Sequence, residues 1–430
     1  MRLGKMIQRG TYMKKWRAVV GEPTLVVDSG FSYDELGWGP YQFPLLRRTV
    51  DGGIHASWHM SNDKLIDGKN FEGYRDGVTY DGGKTWVVPA PKGVPPYFNL
   101  PLNSGYYLSD LGGEGCFAVD WLNNYPKNRY ADVPSYINNG YTGYLYSAEG
   151  VEEFPTHVTL TEIDPQTGDF KKFQGTVNWP NAPIDVFEKG DKTYITPISK
   201  LFALQKGAVI RYGDALLICI YGRGGDHLSG KAHKYSYLYS CFVLRSDDDG
   251  RTWELLSQVD MNDEAYERAN HNYVDQTAIT GGFCEPRMTV LPDGSLAMIM
   301  RTGSNMPSYI TYSKDGGRSW TTPEWFDRVG VMPKLLTLGC GVTVAAYGRP
   351  DLFVRLTEDP SGKEWDAPIS IELSCDPKTG RSGSCCYASV MALDDHSFML
   401  FYSDFYYGHG EEKRTKVMLS RRVELLPEEA

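Results

Sequence analysis

One short pattern recurs three times and constrains the fold of this chain more than any other feature. The pattern is Ser/Thr-x-Asp-x-Gly-x-Ser/Thr-Trp, and it occupies Thr79–Trp86, Ser246–Trp253 and Ser313–Trp320. An Asp and a Gly placed between two β-like runs favour a hairpin, because Asp hydrogen-bonds to its own backbone and Gly adopts positive φ without steric cost. The Trp gives each hairpin an apolar anchor. The pattern therefore predicts repeated supersecondary modules.

Two weaker copies extend the repeat. Thr357–Trp365 carries one extra residue, and Asp164–Phe170 keeps only the turn. Five hairpins at this spacing, with strands before and after them, fit a propeller of four-stranded blades. We therefore predict a six-bladed β-propeller that occupies residues 31–425 as a single domain, preceded by an N-terminal extension at residues 1–30.

The composition agrees with an all-β fold. Aromatic residues make up 13% of the chain, with 29 Tyr and 10 Trp, and there are 46 Gly. Aromatic residues favour strands and glycines favour tight turns, whereas no stretch has the period of a long amphipathic helix. The sequence thus predicts many short strands joined by turns.

Charge and hydropathy exclude several classes of partner. The net charge of −10 argues against nucleic acid or an anionic membrane surface, since both require a basic footprint. No apolar run approaches the ~20 residues of a membrane span. The first 20 residues lack the continuous apolar segment of a signal peptide. We expect a cytoplasmic protein that binds neither nucleic acid nor membranes.

The eight cysteines do not indicate a disulfide framework or a metal site. They are sparse for 430 residues, and Cys385 and Cys386 are adjacent, which is a poor geometry for pairing with each other. His55 and His59 stand four apart, but in a strand-like stretch they need not share a face. We expect free thiols, no metal and no cofactor.

The hairpins resemble the Asp boxes of the sialidase (neuraminidase) superfamily. Such boxes also occur in propellers that are not enzymes, so they imply a fold and not an activity. Asp81, Asp248, Asp315 and the three Trp are accordingly interpreted as structural. The resemblance implies a glycan or oligosaccharide as the substrate, and the functional residues must come from other segments.

The family's three substrate-binding arginines match three positions of this chain unequally. The stretch Tyr41–Gly52 resembles the segment that carries the first arginine, but the matching position is Gln42. Arg301 follows the Pro292-Asp293-Gly294 turn, as the second does. Arg349, in Ala346–Pro350, matches the third.

Two further matches imply a nucleophile and its base. Glu285 begins the hairpin that Arg301 ends, so the two side chains are expected at the same end of one blade. The structural alternative is an ion pair at the strand ends. Tyr387 follows in the order that the family shows for its nucleophilic Tyr, although it is one of 29 Tyr and could be a packing residue.

The resemblance places the acid/base Asp at Asp67, in the loop before the first box. Asp63 is the competing candidate. The structural alternative is that Asp67 is a solvated residue that forms a turn. Asp67 would protonate the leaving oxygen and later deprotonate water. Tyr387 would attack the anomeric carbon while Glu285 takes its proton, with net retention. A neutral Tyr avoids the repulsion that a carboxylate nucleophile would meet at a sugar whose anomeric carbon bears a carboxylate.

Gln42 is the main departure from the family. Replacing a guanidinium by an amide removes a charge and bidentate pairing, worth on the order of 1.5–3 kcal/mol. Either Arg47, Arg48 or Arg75 supplies the missing charge, or the substrate is a related acidic sugar or a sugar with a differently placed carboxylate. We thus predict a sialidase-like exo-glycosidase with an altered acid-sugar pocket.

Two alternatives stay open at the level of sequence. A propeller polysaccharide lyase acting on uronic-acid glycans would use a Tyr and one of four histidines: His55, His59, His227 or His233. A glycan-binding propeller without turnover would keep the pocket, although binding alone does not require a Glu beside a Tyr.

Overall fold

The computed structural model of the protein describes most of the chain. The residues described are 15–37, 39–60, 73–111, 115–116, 136–138, 141–143, 146–147, 157–178, 184–189, 192–197, 203–223, 234–235, 238–271, 280–304, 306–349, 351–372, 387–408 and 414–428. Every structural statement below refers to these residues.

In the described parts of the chain, thirty strands and two short helices account for the regular structure. The strands of the first half are β1 (Trp16–Val20), β2 (Thr24–Asp28), β3 (Gln42–Thr49), β4 (Ile54–His59), β5 (Asp76–Thr79), β6 (Pro96–Tyr97), β7 (Tyr107–Leu111), β8 (Gly115–Cys116), β9 (Tyr136–Asn138), β10 (Tyr141–Gly143), β11 (Tyr146–Ser147), β12 (His157–Ile163), β13 (Phe170–Asn178), β14 (Ile184–Lys189) and β15 (Lys192–Pro197). Those of the second half are β16 (Ala203–Tyr212), β17 (Ala215–Arg223), β18 (Tyr239–Ser246), β19 (Thr252–Val259), β20 (Cys284–Val290), β21 (Leu296–Arg301), β22 (Ser308–Ser313), β23 (Glu324–Asp327), β24 (Val331–Thr337), β25 (Thr343–Gly348), β26 (Leu352–Thr357), β27 (Ile369–Glu372), β28 (Ala388–Asp394), β29 (Ser397–Tyr407) and β30 (Thr415–Pro427). The helices are α1 (Tyr33–Leu36) and α2 (Asp263–Asn270).

The strands form six antiparallel blades around a centre, which confirms the predicted all-β, six-bladed propeller. The blades begin at β3, β7, β16, β20, β24 and β28. These innermost strands pack against one another in turn, β7 with β16, β16 with β20, β20 with β24, β24 with β28 and β28 with β3. Blades 4 and 5 are simple four-stranded meanders, β20 to β23 and β24 to β27.

The last blade is completed by the beginning of the chain. β1 and β2 both pair antiparallel with β30, in registers that place Trp16 opposite Pro427 and Thr24 opposite Ser420. Strand pairing therefore brings together residues from the two ends of the chain, and residues 16–28 of the N-terminal segment contribute to the sixth blade. Blades 2 and 3 are joined into one sheet where β13 runs parallel to β19.

The three Asp boxes fold as the sequence pattern suggests. In the third box, Asp315 Oδ1 accepts hydrogen bonds from the Ser319 N–H at 2.9 Å and from the Ser313 hydroxyl at 2.8 Å. Asp81 and Asp248 accept equivalent bonds in their own turns. Each carboxylate thus satisfies backbone groups that a tight turn would leave unpaired.

Two of the boxes also fasten their blade to the preceding one through a serine. The Trp320 indole donates to Ser257 Oγ at 3.0 Å, and that hydroxyl donates to the Gly317 carbonyl. The Trp86 indole likewise donates to Ser420 Oγ at 3.0 Å. The second box meets blade 2 through backbone instead, because the Thr176 N–H donates to the Arg251 carbonyl. The boxes therefore define contacts between blades as well as turns.

The apolar core lies between neighbouring blades. One cluster joins blades 3 and 4 around Val243 and Met298, and another joins blades 5 and 6 around Val344 and Phe398. Burial of aliphatic and aromatic groups on both faces of each sheet is what holds such blades together. The described cysteines Cys219, Cys241, Cys284 and Cys340 are free thiols, as expected. None of the described helices has the length and apolar character to cross a membrane.

Three innermost strands begin with the same local distortion. Phe43, Glu285 and Met332 have φ of 52°, 46° and 47°, and each precedes a proline. The pairing with the next strand shifts register at each of these points. Positive φ is costly for a residue other than glycine, and bulges re-aim side chains. These three bulges define the start of blades 1, 4 and 5, where the candidate site lies.

Candidate active site

Glu285 is held from two sides at the start of β20. Arg301 Nη1 donates to Glu285 Oε1 at 2.7 Å, and the Met332 N–H donates to Oε2 at 2.8 Å. The register that pairs Cys284 with Arg301 brings the glutamate and the arginine to one end of the blade, where they form an ion pair. Glu285 is only 8% exposed. Both carboxylate oxygens are therefore fixed in position.

The same arginine nitrogen links Glu285 to Tyr387. Arg301 Nη1 lies 3.5 Å from Tyr387 Oη, so one nitrogen of the guanidinium is close to both the carboxylate and the phenol. Tyr387 is 5% exposed and directly precedes β28, the innermost strand of blade 6. The structure thus brings Glu285, Arg301 and Tyr387 together from blades 4 and 6.

Arg349 completes the cluster from blade 5. Its guanidinium lies over the Tyr387 ring, 5.3 Å from the centroid, and its Nη1 donates to Ser304 Oγ at 3.2 Å. Arg301 Nη2 donates to the same Ser304 oxygen at 2.9 Å. Two guanidiniums therefore converge on one hydroxyl oxygen beside a buried phenol.

Gln42 lies at the edge of this cluster. It is fully buried and pairs in register with His59. The following residue, Phe43, packs its ring 4.9 Å from that of Tyr387 and 5.6 Å from that of His59. Blade 1 thus presents an aromatic side chain to Tyr387, and Gln42 sits one residue away from that contact.

Two of the three arginines that the sequence offered as substitutes, Arg47 and Arg48, have other partners. Arg48 Nη2 donates to the Ala392 carbonyl at 2.7 Å. Arg47 is paired electrostatically with Asp110 and Asp76, and burial lowers its pKa despite these carboxylates. Neither guanidinium is directed to the cluster around Tyr387.

Several predicted residues lie outside the described parts of the chain. Asp67 and its competitor Asp63 fall in residues 61–72, and His227 and His233 fall in residues 224–233. The other two histidines are described: His55 Nε2 lies 3.3 Å from Asp76 Oδ2, and His59 contacts Phe43. In the described parts of the chain, no three His, Cys, Asp or Glu side chains are grouped to hold a metal ion.

The environment keeps the Tyr387 phenol protonated near neutral pH. Burial raises its pKa and the Glu285 carboxylate raises it further, while Arg301 and Arg349 oppose the shift. Burial lowers the pKa of Arg301, but Glu285 and then Tyr387 outweigh this effect and hold it well above its usual range. The arginine therefore stays charged and the phenol neutral until a base removes its proton.

Two further basic residues line the innermost strands next to Glu285. Arg287 and Lys334 are 5% and 6% exposed. Burial lowers the pKa of Lys334 well below its usual range, Arg287 lowers it further, and Glu285 opposes the shift. The region around Glu285 is therefore rich in basic groups.

Three residues of the cluster are not among those predicted from the sequence: Phe43, Met332 and Ser304. A signal for the first two exists, because Gln42-Phe43-Pro44, Cys284-Glu285-Pro286 and Val331-Met332-Pro333 repeat one pattern in which the residue before proline has positive φ. The proline marks the bulge, and the residue before it contributes a group to the site. Ser304 has no such signal, since only the fold brings its loop to the two arginines.

Part of the chain is similar to known proteins. A family model described as a BNR repeat-like domain matches residues 191–400. An anhydrosialidase from Macrobdella decora is 33% identical over 95 residues, which are 22% of this chain. The match covers only 11% of the length of that relative.

One solved structure has the same overall fold, and a second is less similar. A protein of unknown function from Dyadobacter fermentans superimposes with a TM-score of 0.58 at 16% identity, over 95% of this chain and 99% of the other. A mutant of NanB sialidase from Streptococcus pneumoniae gives a TM-score of 0.45 at 15% identity, over 93% of this chain and 70% of the other. The propeller and its boxes agree with these matches, and the chain is similar to BNR-repeat proteins over residues 191–400 and to an anhydrosialidase over 95 residues.

Proposed function

We propose that this protein is an exo-glycosidase that removes a terminal acidic sugar, sialic acid or a related one, from a glycan with retention of configuration. The observation that carries the proposal is the convergence of Arg301 and Arg349 on one oxygen beside Tyr387. With Glu285 as the partner of Arg301, two guanidiniums face one carboxylate. The excess positive charge favours an anionic ligand, and planar guanidiniums suit a carboxylate.

Tyr387 is the nucleophile in this proposal. In the first step its phenol oxygen forms a bond to the anomeric carbon while the bond to the leaving oxygen breaks. The phenol proton passes to Glu285, which has lone pairs left beyond those that Arg301 and Met332 occupy. Asp67 gives its proton to the leaving oxygen. Arg301 Nη1 contacts both the Glu285 carboxylate and the Tyr387 phenol, and this shared contact supports the proton transfer between them.

The second step reverses these proton movements. Water attacks the anomeric carbon as the bond to the tyrosine oxygen breaks, Asp67 takes a proton from the water, and Glu285 returns the proton to Tyr387. Two displacements at one carbon give retention. Each residue ends in its starting state.

Gln42 shapes the substrate preference in this proposal. A fully buried amide stands where the family has a guanidinium, so one charged donor is replaced by a neutral donor and an acceptor. Arg47 and Arg48 bind other groups and do not replace it. We therefore expect a pocket that accepts an acidic sugar through two arginines.

A screen of chromogenic glycosides tests the proposal. It includes sialosides, other nonulosonic acids, uronides and neutral sugars, with product stereochemistry followed by NMR. We expect cleavage of an acidic sugar with retention. Cleavage of neutral sugars alone, or inversion, would refute the proposal.

The role of Asp67 is tested by leaving-group dependence. An acid catalyst matters most for a poor leaving group, so Asp67→Asn should reduce cleavage of a natural glycan far more than cleavage of an aryl glycoside. Asp63→Asn is the matched control, and it should affect both substrates equally and little. If Asp63→Asn shows the leaving-group dependence instead, Asp63 is the acid/base residue.

A lyase is the second candidate, and one observation favours it. Gln42 pairs in register with His59, and Phe43 bridges the rings of His59 and Tyr387. A lyase would use a tyrosine and a histidine as acid and base, with an amide against the uronate carboxylate. Formation of an unsaturated product that absorbs in the ultraviolet from a uronate polymer would establish this reading in place of hydrolysis.

A further inference from the structure

We propose that Ser304 is a third hydrogen-bond donor of the acid-sugar pocket and that it sets the spacing of Arg301 and Arg349. The inference rests on the proposed function, because it assigns a role at the same site. Its starting point is that both arginines donate to Ser304 Oγ, at 2.9 and 3.2 Å.

The hydrogen-bond capacity of a hydroxyl determines what Ser304 can add. A serine hydroxyl has two acceptor lone pairs and one proton. With N–H groups from two guanidiniums on the oxygen, a further bond to Ser304 must use the proton. Two cations on the oxygen polarise the O–H group and make it a better donor. Its natural acceptor is the anion that the arginines attract.

The loop that carries Ser304 is fixed at its base. The Thr302 hydroxyl donates to the Pro307 carbonyl at 2.5 Å, and the Thr302 carbonyl accepts from the Thr280 hydroxyl at 2.8 Å. A Cβ on Gly303 would lie 2.3 Å from Met306 Sδ, so the loop packs closely against a buried methionine, which would have to shift to admit a larger residue. The position of the hydroxyl is thus set by the fold before a ligand binds.

Ser304 also relieves a problem that the site creates. Arg301 and Arg349 are largely buried like charges that meet at an exposed serine, and their mutual Coulomb repulsion is unfavourable. The Ser304 oxygen gives each guanidinium a hydrogen-bond acceptor and holds the two guanidiniums at a defined distance from each other. A carboxylate then meets two oriented guanidiniums and one hydroxyl, which offsets part of what Gln42 lacks.

The test uses Ser304→Ala, Ser304→Thr and a control, Ser104→Ala. Thr keeps the hydroxyl. Ser104 is an exposed loop serine whose N–H donates to Asp249, and alanine retains that bond. Calorimetry measures the affinity for N-acetylneuraminate and for glucuronate as carboxylate probes, and for glucose as a neutral probe. Steady-state kinetics on the best acidic glycoside gives kcat and KM separately.

We expect Ser304→Ala to weaken binding of a carboxylate probe about tenfold or more, the effect of one hydrogen bond to a charged group. KM should rise with kcat changed about twofold at most, since the contact is made before and during reaction. Ser304→Thr should bind a carboxylate probe with an affinity within about threefold of wild type, and the affinity of Ser104→Ala should equal that of wild type. Binding of glucose should not change.

The outcomes separate this inference from the proposed function. If Ser304→Ala binds the carboxylate probes as tightly as wild type, or if Ser304→Thr is as weak as Ser304→Ala, the role of the hydroxyl is refuted even when the enzyme cleaves sialosides. If Ser304→Ala loses carboxylate affinity but no acidic glycoside is cleaved, the proposed reaction fails and Ser304 stands as an anion ligand. If wild type binds no carboxylate probe, both fail.

Discussion

The Glu285 carboxylate accepts a hydrogen bond from the Met332 N–H at 2.8 Å, and both residues have positive φ. Each such conformation costs on the order of 1–3 kcal/mol and persists only where the surroundings enforce it. Here the bulge of blade 5 holds the carboxylate that the bulge of blade 4 presents. Two strained positions on adjacent innermost strands therefore fix one functional group.

Glu285→Gln should abolish most activity without unfolding the protein. An amide fills the same volume but cannot take a proton from Tyr387, so we expect kcat to fall about 10²- to 10⁴-fold, the usual weight of a general base. The measurement is kcat on an acidic glycoside, with thermal unfolding to check the fold.

The chain offers a matched control for this variant. Glu372 also accepts from a tyrosine and an arginine, Tyr402 at 3.0 Å and Arg421 at 3.2 Å, but at the contact between blades 5 and 6 and away from Ser304. Glu372→Gln should lower stability and leave kcat near wild type. Equal losses of kcat in the two variants would mean that Glu285 acts only through the fold.

Tyr387→Phe should remove catalysis and keep binding. The ring still packs against Phe43 and beneath Arg349, while the nucleophilic oxygen is gone. We expect kcat to fall by about 10³-fold or more, with the affinity for a carboxylate probe within about threefold of wild type. Tyr402→Phe, at a fully buried tyrosine, is the control and should retain kcat. Turnover by Tyr387→Phe at the wild-type rate would make Tyr387 a packing residue.

Substitutions at Ser257 and Trp320, whose side chains are hydrogen-bonded between blades 3 and 4, should have coupled effects on stability. Ser257 accepts from Trp320 and donates to Gly317. Trp320→Phe and Ser257→Ala should each reduce the free energy of unfolding by about 1–2 kcal/mol. The double variant should lose clearly less than the sum, because one bond is shared. Denaturant unfolding of the four proteins measures this, and simple additivity would show that the indole bond contributes nothing.

The third Asp box should make stability fall at low pH. Hydrogen bonds from Ser319, together with that from Ser313, lower the pKa of Asp315 from 3.8 to about 2. A carboxylate whose pKa is depressed on folding stabilises the protein above its ordinary pKa, and this contribution is lost as the pH falls toward 2.

Asp315→Asn removes that titration and tests the effect. The difference in melting temperature between wild type and Asp315→Asn should be constant above about pH 5 and shrink as the pH falls toward 2. Asp81→Asn should behave in the same way, since the pKa of Asp81 is also about 2. A difference that does not change between pH 5 and pH 2 would contradict the role of these carboxylates.

The repeat predicted the fold because each Asp box is a local structure. Its hydrogen bonds join residues two to four positions apart, such as Asp315 with Ser313 and Ser319, so the pattern alone contains them. The same holds for the Glu285–Arg301 pair, which one hairpin brings together. Local spacing was sufficient wherever the partners lie on one hairpin.

The contacts between blades required the tertiary structure. Ser304 and Arg349 are 45 positions apart, and Arg301 and Tyr387 are 86 apart, so only the closed ring of blades makes them neighbours. Of the three arginines that the sequence offered in place of a missing charge, Arg47, Arg48 and Arg75, the fold directs the first two elsewhere, because strand alternation sends them to the neighbouring blades.

The sequence by itself determined the architecture, through turns whose hydrogen bonds are short-range, and the order in which Glu285, Arg301, Arg349 and Tyr387 follow one another. The tertiary structure alone decided that these residues share one cluster, that Ser304 joins it, and that Met332 holds the carboxylate. The physical reason is that a propeller places the starts of its innermost strands around one axis, which brings together residues that are distant along the chain.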